Sequence, residues 1–254
     1  MRLLVAIPVF NERKHVQSVL DKVHRYCNDI LCIDDGSTDG TGELLEQMKG
    51  QEAQTSLHLI RHKTNLGYGQ SIIDAFNYAD ANGYDWVITM DCDEQHEPER
   101  IPDFVRQIKT DRWDIISGSR YLESGTDDDL PPGDRQAINA EMTVTINELF
   151  GWSLTDTFCG FKAHRVSAMK QLKLDEPGYA FPMQLWPRAH KVGLRITETP
   201  VRLIYNDPNR YFGGRLDDAA FRLAHYKQVL QAELRRLAEQ PDATDEVCAC
   251  CYCD

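Results

Sequence analysis

The chain predicts an α/β fold with a mainly parallel central sheet flanked by helices, and three observations lead there. Short apolar runs alternate with segments of helical periodicity through the first half of the sequence. Each of those runs ends on a polar or glycine-rich motif. A chain of 254 residues, 42% hydrophobic, is long enough to bury a full core. Strand–helix alternation at this spacing calls for crossover helices between parallel strands.

Leu3 to Ile7 reads as the first strand. Residues 12–26 follow with Val16, Val19, Leu20 and Val23 at helical spacing. Strands at Ile30–Ile33, Leu57–Ile60, Trp86–Met90 and Trp113–Ser117 alternate with helices at Thr38–Met48, Ser71–Ala81 and Pro98–Ile108. The last of these helices carries Pro at its start, where a missing N–H does no harm. After Arg120 the rhythm breaks. Residues 122–134 read as a loop rich in Asp, Gly and Pro, and 135–150 as a helix with Ile138, Met142, Ile146 and Leu149 on one side. Another helix over Phe181–Val192, a strand or two within Leu194–Ile204 and a long helix over Leu216–Leu237 complete the pattern.

Charge narrows the function. With 28 basic and 40 acidic residues the formal net charge is -12, which leaves no electrostatic footprint for nucleic acid. No apolar stretch approaches the roughly 18 residues that span a bilayer, and the N-terminus runs into a strand without the design of a cleavable leader. Cys27, Cys32, Cys92 and Cys159 accordingly read as reduced thiols. Cys248, Cys250, Cys251 and Cys253 follow a linker-like stretch. They can bind a soft metal or carry acyl chains, but no further Cys or His completes a zinc site. The expectation is one domain over residues 1–240 and a disordered acidic, Cys-rich tail over 241–254.

In an open parallel sheet, ligands bind beyond the carboxyl ends of the strands. Those ends hold Pro8-Val9-Phe10-Asn11-Glu12, Asp34-Asp35-Gly36-Ser37-Thr38-Asp39-Gly40, Asn65-Leu66-Gly67-Tyr68-Gly69, Asp91-Cys92-Asp93-Glu94-Gln95 and Gly118-Ser119-Arg120-Tyr121. Asp91 and Asp93 repel each other unless a cation bridges them, and hard carboxylate oxygens suit Mg2+ or Mn2+ shared with substrate phosphates. A carboxylate in Asp34-Asp35-Gly36-Ser37 can accept hydrogen bonds from a base or ribose, while Ser37 or Thr38 can cap the next helix. A phosphate-binding nucleotidyltransferase would want a glycine-rich loop with Arg and Lys after the first strand, and a dehydrogenase a G-x-G-x-x-G there. Neither is present.

In order and spacing these motifs, continued by Asp156-Thr157-Phe158-Cys159-Gly160-Phe161-Lys162, resemble family 2 glycosyltransferases. The most similar subgroup is that of dolichol-phosphate mannose synthases and other polyprenyl-phosphate glycosyltransferases. The resemblance spans residues 3–215 and implies the GT-A, or nucleotide-diphospho-sugar transferase, fold. It implies nucleotide-sugar binding by Pro8, Phe10, Glu12, Asp35, Asp91, Asp93, Arg120, Arg210 and Arg215. It places metal and diphosphate at Asp91, Asp93 and Gln95, acceptor phosphate at Arg120, Arg135 and Asn139, and catalysis on Asp93, Arg120 and Arg135. Asn139 stands where the subgroup more often has Ser, and Phe158-Cys159-Gly160-Phe161 replaces a more usual Ser-Gly-Phe.

The implied reaction is inverting transfer from GDP-mannose or a UDP-sugar, with Mg2+ or Mn2+, to a polyprenyl or dolichyl phosphate. A soluble hydroxyl acceptor and a non-catalytic nucleotide-sugar module are the alternatives. A hydroxyl needs a general base, for which Asp156 and Glu94 are the candidates, whereas a phosphate monoester is already anionic at neutral pH. A lipid-linked acceptor implies a cytoplasmic protein, peripheral on the cytoplasmic membrane face. The apolar side of residues 135–152, with Ile138, Met142, Ile146, Leu149, Phe150 and Trp152, is the expected docking element.

Overall fold

A computed structural model describes residues 1–49, 56–123, 132–202, 204–205 and 212–239. The Cys-rich tail, the Asp127–Asp129 cluster and Arg210 lie outside the described residues.

The strands are β1 (Leu3–Val9), β2 (Asp29–Asp34), β3 (Ser56–Arg61), β4 (Trp86–Thr89), β5 (Ile115–Ser119), β6 (Lys162–Arg165) and β7 (Ile196–Pro200). They form a seven-stranded sheet in the order β3-β2-β1-β4-β6-β5-β7. All neighbours pair in parallel except at β6, which runs antiparallel to both β4 and β5. The helices are α1 (Val16–Val23), α2 (Thr41–Lys49), α3 (Tyr68–Ala81), α4 (Ile101–Ile108), α5 (Gly133–Phe150), α6 (Val166–Met169), α7 (Pro182–Lys191) and α8 (Ala219–Glu239).

Side chains alternate across a strand, so β1, β2 and β4 each feed two cores. Leu4 and Ala6 of β1, Leu31 and Ile33 of β2, and Val87 of β4 join residues of α3, α5, α7 and α8 on one face. Val5, Ile7, Ile30, Cys32 and Ile88 join α1, α4 and Leu45 of α2 on the other. The near-continuous apolar runs that announced the strands follow from this burial on both faces.

Three expectations change. β6 and α6 were not foreseen, because Lys-Ala-His-Arg has no apolar run. Its Lys162 and His164 are nonetheless buried, while Ala163 enters the second core. The cap of α2 is neither Ser37 nor Thr38. The Asp39 carboxylate accepts the Thr41 N–H at 3.0 Å, and Ser37 Oγ accepts the Asn11 N–H, tying the β1 and β2 loops together. The α5 docking side is also corrected. Ile138, Met142 and Ile146 lie in the first core, with Phe150 and Trp152 packed against it, which leaves Leu149 as the exposed member of that set. Burial against neighbouring helices is the usual fate of an amphipathic face.

Candidate functional site

The carboxyl ends of β1, β2, β4 and β5 border a cavity of about 740 Å³. Pro8, Phe10 and Glu12 line it from the β1 end, Asp35 from β2, Asp91, Asp93 and Gln95 from β4, and Arg120 from β5. α5 adds Arg135 and Asn139. Sheet order therefore spreads these groups along one edge, with the β2 and β1 residues first, the acidic β4 turn in the middle and Arg120 beyond β6.

Asp35 is held from three sides. Leu66 N–H donates to its Oδ1 at 2.8 Å, Gly67 N–H to its Oδ2 at 2.9 Å, and His62 Nδ1 lies 2.7 Å from Oδ1. Its neighbour Asp34 points elsewhere, accepting the Ser37 N–H and Arg61 Nε–H, and so serves the loop rather than the cavity.

The acidic turn is built against two supports. Glu94 adopts φ 58°, a left-handed conformation unusual for a residue with a Cβ. Its carboxylate takes hydrogen bonds from Ser18 and Lys22 of α1 and lies 3.3 Å from His15 Nδ1. The Lys22 and Ser18 bonds hold its carboxyl down to about 2. Behind Asp91, His96 Nδ1 accepts the Asp91 N–H at 3.0 Å. Gly160 faces the Asp91 carboxylate so closely that a Cβ there would stand 2.5 Å from Oδ2, so a side chain at this position would push the Asp91 carboxylate from its place.

The turn fits a divalent ion. The carboxylates of Asp91 and Asp93 both line the cavity, and hard oxygen donors of this kind suit an ion that shares its shell with substrate phosphates. The Gln95 amide nitrogen is buried without a partner. Since amide O and N are assigned rather than seen, this group can turn its oxygen to a cation or its NH2 to a phosphate.

At the other end Arg120 forms a two-pronged ion pair with Asp156, Nε to Oδ2 at 2.6 Å and Nη2 to Oδ1 at 3.0 Å. Asp156 is fully buried and also accepts from Asn139 Nδ2 and the Phe158 and Cys159 N–H groups. Burial by itself raises its carboxyl, but Arg120, Asn139 and Lys162 outweigh that and hold it down to about 2. Asp156 is therefore the anchor of Arg120 and a poor base. Glu94, bound to α1 and absent from the cavity lining, is no better. Both hydroxyl-acceptor candidates are corrected on these grounds.

Arg135 lies over the Phe212 ring at 4.6 Å and the Tyr205 ring at 5.5 Å. Asn139 lines the cavity with its amide engaged by Asp156 and Thr143. Arg215 does not line it. Its exposed guanidinium stacks on Phe221 at 4.1 Å. Arg222, which sequence reasoning missed, does line it, buried beside Phe212 and bonded to Asp134 and the Leu216 carbonyl. Tyr68, Tyr121, Phe158, Tyr179 and Tyr226 give the remaining walls an aromatic character. The only sequence signal for Arg222 was a lone basic residue among apolar ones at the start of a helix.

Sheet order, the antiparallel β6 and a cavity flanked by an acidic turn and arginines define a glycosyltransferase of the GT-A type. The chain belongs to glycosyl transferase family 2, whose model matches residues 4–173. It is 28% identical over 233 residues to the undecaprenyl-phosphate mannosyltransferase of Micrococcus luteus, covering 89% of this chain and 94% of that protein. Against the polyprenol monophosphomannose synthase of Mycolicibacterium smegmatis it is 28% identical, covering 89% and 86%. The glucosyl-3-phosphoglycerate synthase of Mycobacterium tuberculosis, crystallised with Mn2+, UDP-glucose and phosphoglyceric acid, superposes with a TM-score of 0.64 at 18% identity, over 95% of this chain and 81% of that one. That likeness speaks for the fold alone.

Proposed function

We infer that residues 1–240 act as one inverting glycosyltransferase domain. It moves a sugar from GDP-mannose or a UDP-sugar to the phosphate of a polyprenyl or dolichyl carrier, reached as a peripheral protein from the cytoplasmic membrane face. The observation that carries this reading is the pairing, in one cavity, of a two-aspartate turn with three arginines, one of them anchored by a buried carboxylate. The polyprenyl-phosphate chemistry named for the two relatives supports the acceptor class.

Pro8, Phe10, Glu12 and Asp35 hold the donor nucleotide. Asp91, Asp93 and Gln95 hold Mg2+ or Mn2+ with the diphosphate, a role suited to two cavity-lining carboxylates and an amide. When bound, the ion supplies positive charge against the charge that develops on the departing nucleoside diphosphate. Arg120, fixed by Asp156, presents its remaining N–H groups to the acceptor phosphate, and Arg135 and Asn139 complete that side. The acceptor phosphate needs no base, because its second pKa is about 6.

The test is a donor panel of GDP-mannose, UDP-glucose and UDP-GlcNAc with Mn2+, offered polyprenyl phosphate or soluble hydroxyl acceptors. Transfer to the phosphate, abolished by Asp93→Ala and by excess chelator, is expected. Transfer to hydroxyls alone overturns the acceptor reading, and binding without transfer or hydrolysis overturns the enzyme reading.

A further inference from the structure

Asp35 reaches the cavity from the end of β2, yet a carboxylate on a short side chain has a broad, two-fold torsion about its last bond. Something must choose which edge it shows to a ligand. The two backbone donors, Leu66 and Gly67, bind one oxygen each. The third contact is a side chain from another strand. His62 follows β3, and its own N–H donates to the Asp34 carbonyl at 2.9 Å, so the sheet ladder fixes where the ring sits. Its Nδ1 lies 2.7 Å from Asp35 Oδ1 and its Nε2 lies 2.9 Å from Asp74 Oδ2 on α3. Asp74 is steadied in turn by Gln70, whose Nε2 donates to Oδ1 at 3.0 Å.

The imidazole is nearly sealed, with 8% of its side chain accessible against 5% for Asp35. His62 does not line the cavity, so it acts on a ligand only through Asp35. The contacts divide the carboxylate. Oδ1 receives both Leu66 N–H and the ring, while Oδ2 receives only Gly67 N–H and keeps acceptor capacity. Without the ring, Oδ1 keeps a single bond and the two edges become nearly equivalent.

Resting on the reading of Asp35 as a nucleotide-binding residue, we propose that His62, anchored by Asp74, is a positioning residue that fixes the carboxylate edge which meets the donor nucleobase. Sequence motifs give no hint of it, since His62 lies outside the Asn65-Leu66-Gly67 turn and Asp74 is one polar residue of a helix.

The experiment titrates UDP and GDP, with Mn2+, into the wild type and into His62→Ala, Asp74→Ala, Asp74→Asn, Asp35→Ala and the His62→Ala/Asp35→Ala double variant. For whichever nucleotide the wild type prefers, His62→Ala and Asp74→Ala are expected to bind about tenfold more weakly. Asp74→Asn should stay near wild type, because its amide can donate to Nε2 while Nδ1–H still serves Asp35. The double variant should bind no more weakly than Asp35→Ala, since coupled residues are not additive. In transfer assays donor KM should rise while kcat at saturating donor holds. Should His62→Ala fail to fold, the partly accessible Asp74 pair of variants carries the same comparison. Wild-type binding by His62→Ala and Asp74→Ala, or an additive double variant, overturns the proposal. If Asp35→Ala itself binds normally, the nucleotide reading of Asp35 falls with it. A weakened Asp35→Ala beside silent His62 and Asp74 variants overturns the positioning role alone.

Discussion

At the scale of single residues, the ion pair of Arg120 and Asp156 decides most. A buried carboxylate that loses its charge leaves its partner uncompensated, a change that destabilises by about 3–5 kcal/mol. Asp156→Asn is therefore expected to unfold at clearly lower denaturant and, under the proposed function's assignment of Arg120 to the acceptor phosphate, to transfer sugar at least tenfold more slowly with donor affinity retained. Denaturant melts and a kcat/KM comparison check both halves. A variant with wild-type transfer shows that Arg120 needs no anchor. His164 offers a separate titration. Burial, with Lys162 adding to it, pushes its imidazole down to about 3, and its Nδ1 has no partner. An unfolded chain protonates this ring near 6.5. Between those two values the unfolded state binds more protons, so stability falls as pH falls, by up to about 1.4 kcal/mol per unit. His164→Leu should flatten that part of the stability–pH curve, and an unchanged slope in denaturant melts across it refutes the assignment. What the sequence told at this scale was uneven. Asp91, Asp93 and Arg120 were legible because they end apolar strands. Asp156 passed for a base because its partners come from β5 and α5, and Arg222 was hidden because only the packing of α8 turns it inward.

At the scale of elements, the strands before Arg120 were legible because burial on both faces leaves apolar runs. β6 was not, since a four-residue strand slotted between β4 and β5 needs only Ala163 and its flanking Phe161 to be apolar. α5 is the instructive case. Periodicity named Ile138, Met142 and Ile146 of its buried side, though not the exposed Leu149, and did not tell what that side meets. Met142 is fully buried within the first core, and Met→Ala changes at such positions cost about 2–5 kcal/mol. Met142→Ala should lower the midpoint of denaturant unfolding accordingly while leaving any liposome association of the folded protein unchanged. Loss of association without loss of stability restores the docking role that the packing denies.

At the scale of the whole molecule, the proposed function sets a formal charge of -12 against an acceptor carried by a membrane. Among the described residues no helix is long and apolar enough to cross a bilayer, and α5 spends its apolar side on the core. An acidic chain is repelled by anionic lipid, and the repulsion is screened within about 10 Å at moderate salt. Association, if it follows the proposed function, therefore comes from capture of the acceptor phosphate by Arg120 and Arg135 rather than from the surface at large. The sign is testable. Flotation with neutral liposomes should require polyprenyl phosphate and vanish in the Arg120→Ala/Arg135→Ala variant. Adding anionic lipid should weaken it, and raising salt should restore part of what the anionic lipid removed, opposite to the behaviour of a basic membrane-binding helix, which salt releases. Flotation that needs no polyprenyl phosphate, or that strengthens with anionic lipid, would mean that a surface outside this cavity holds the protein to the membrane.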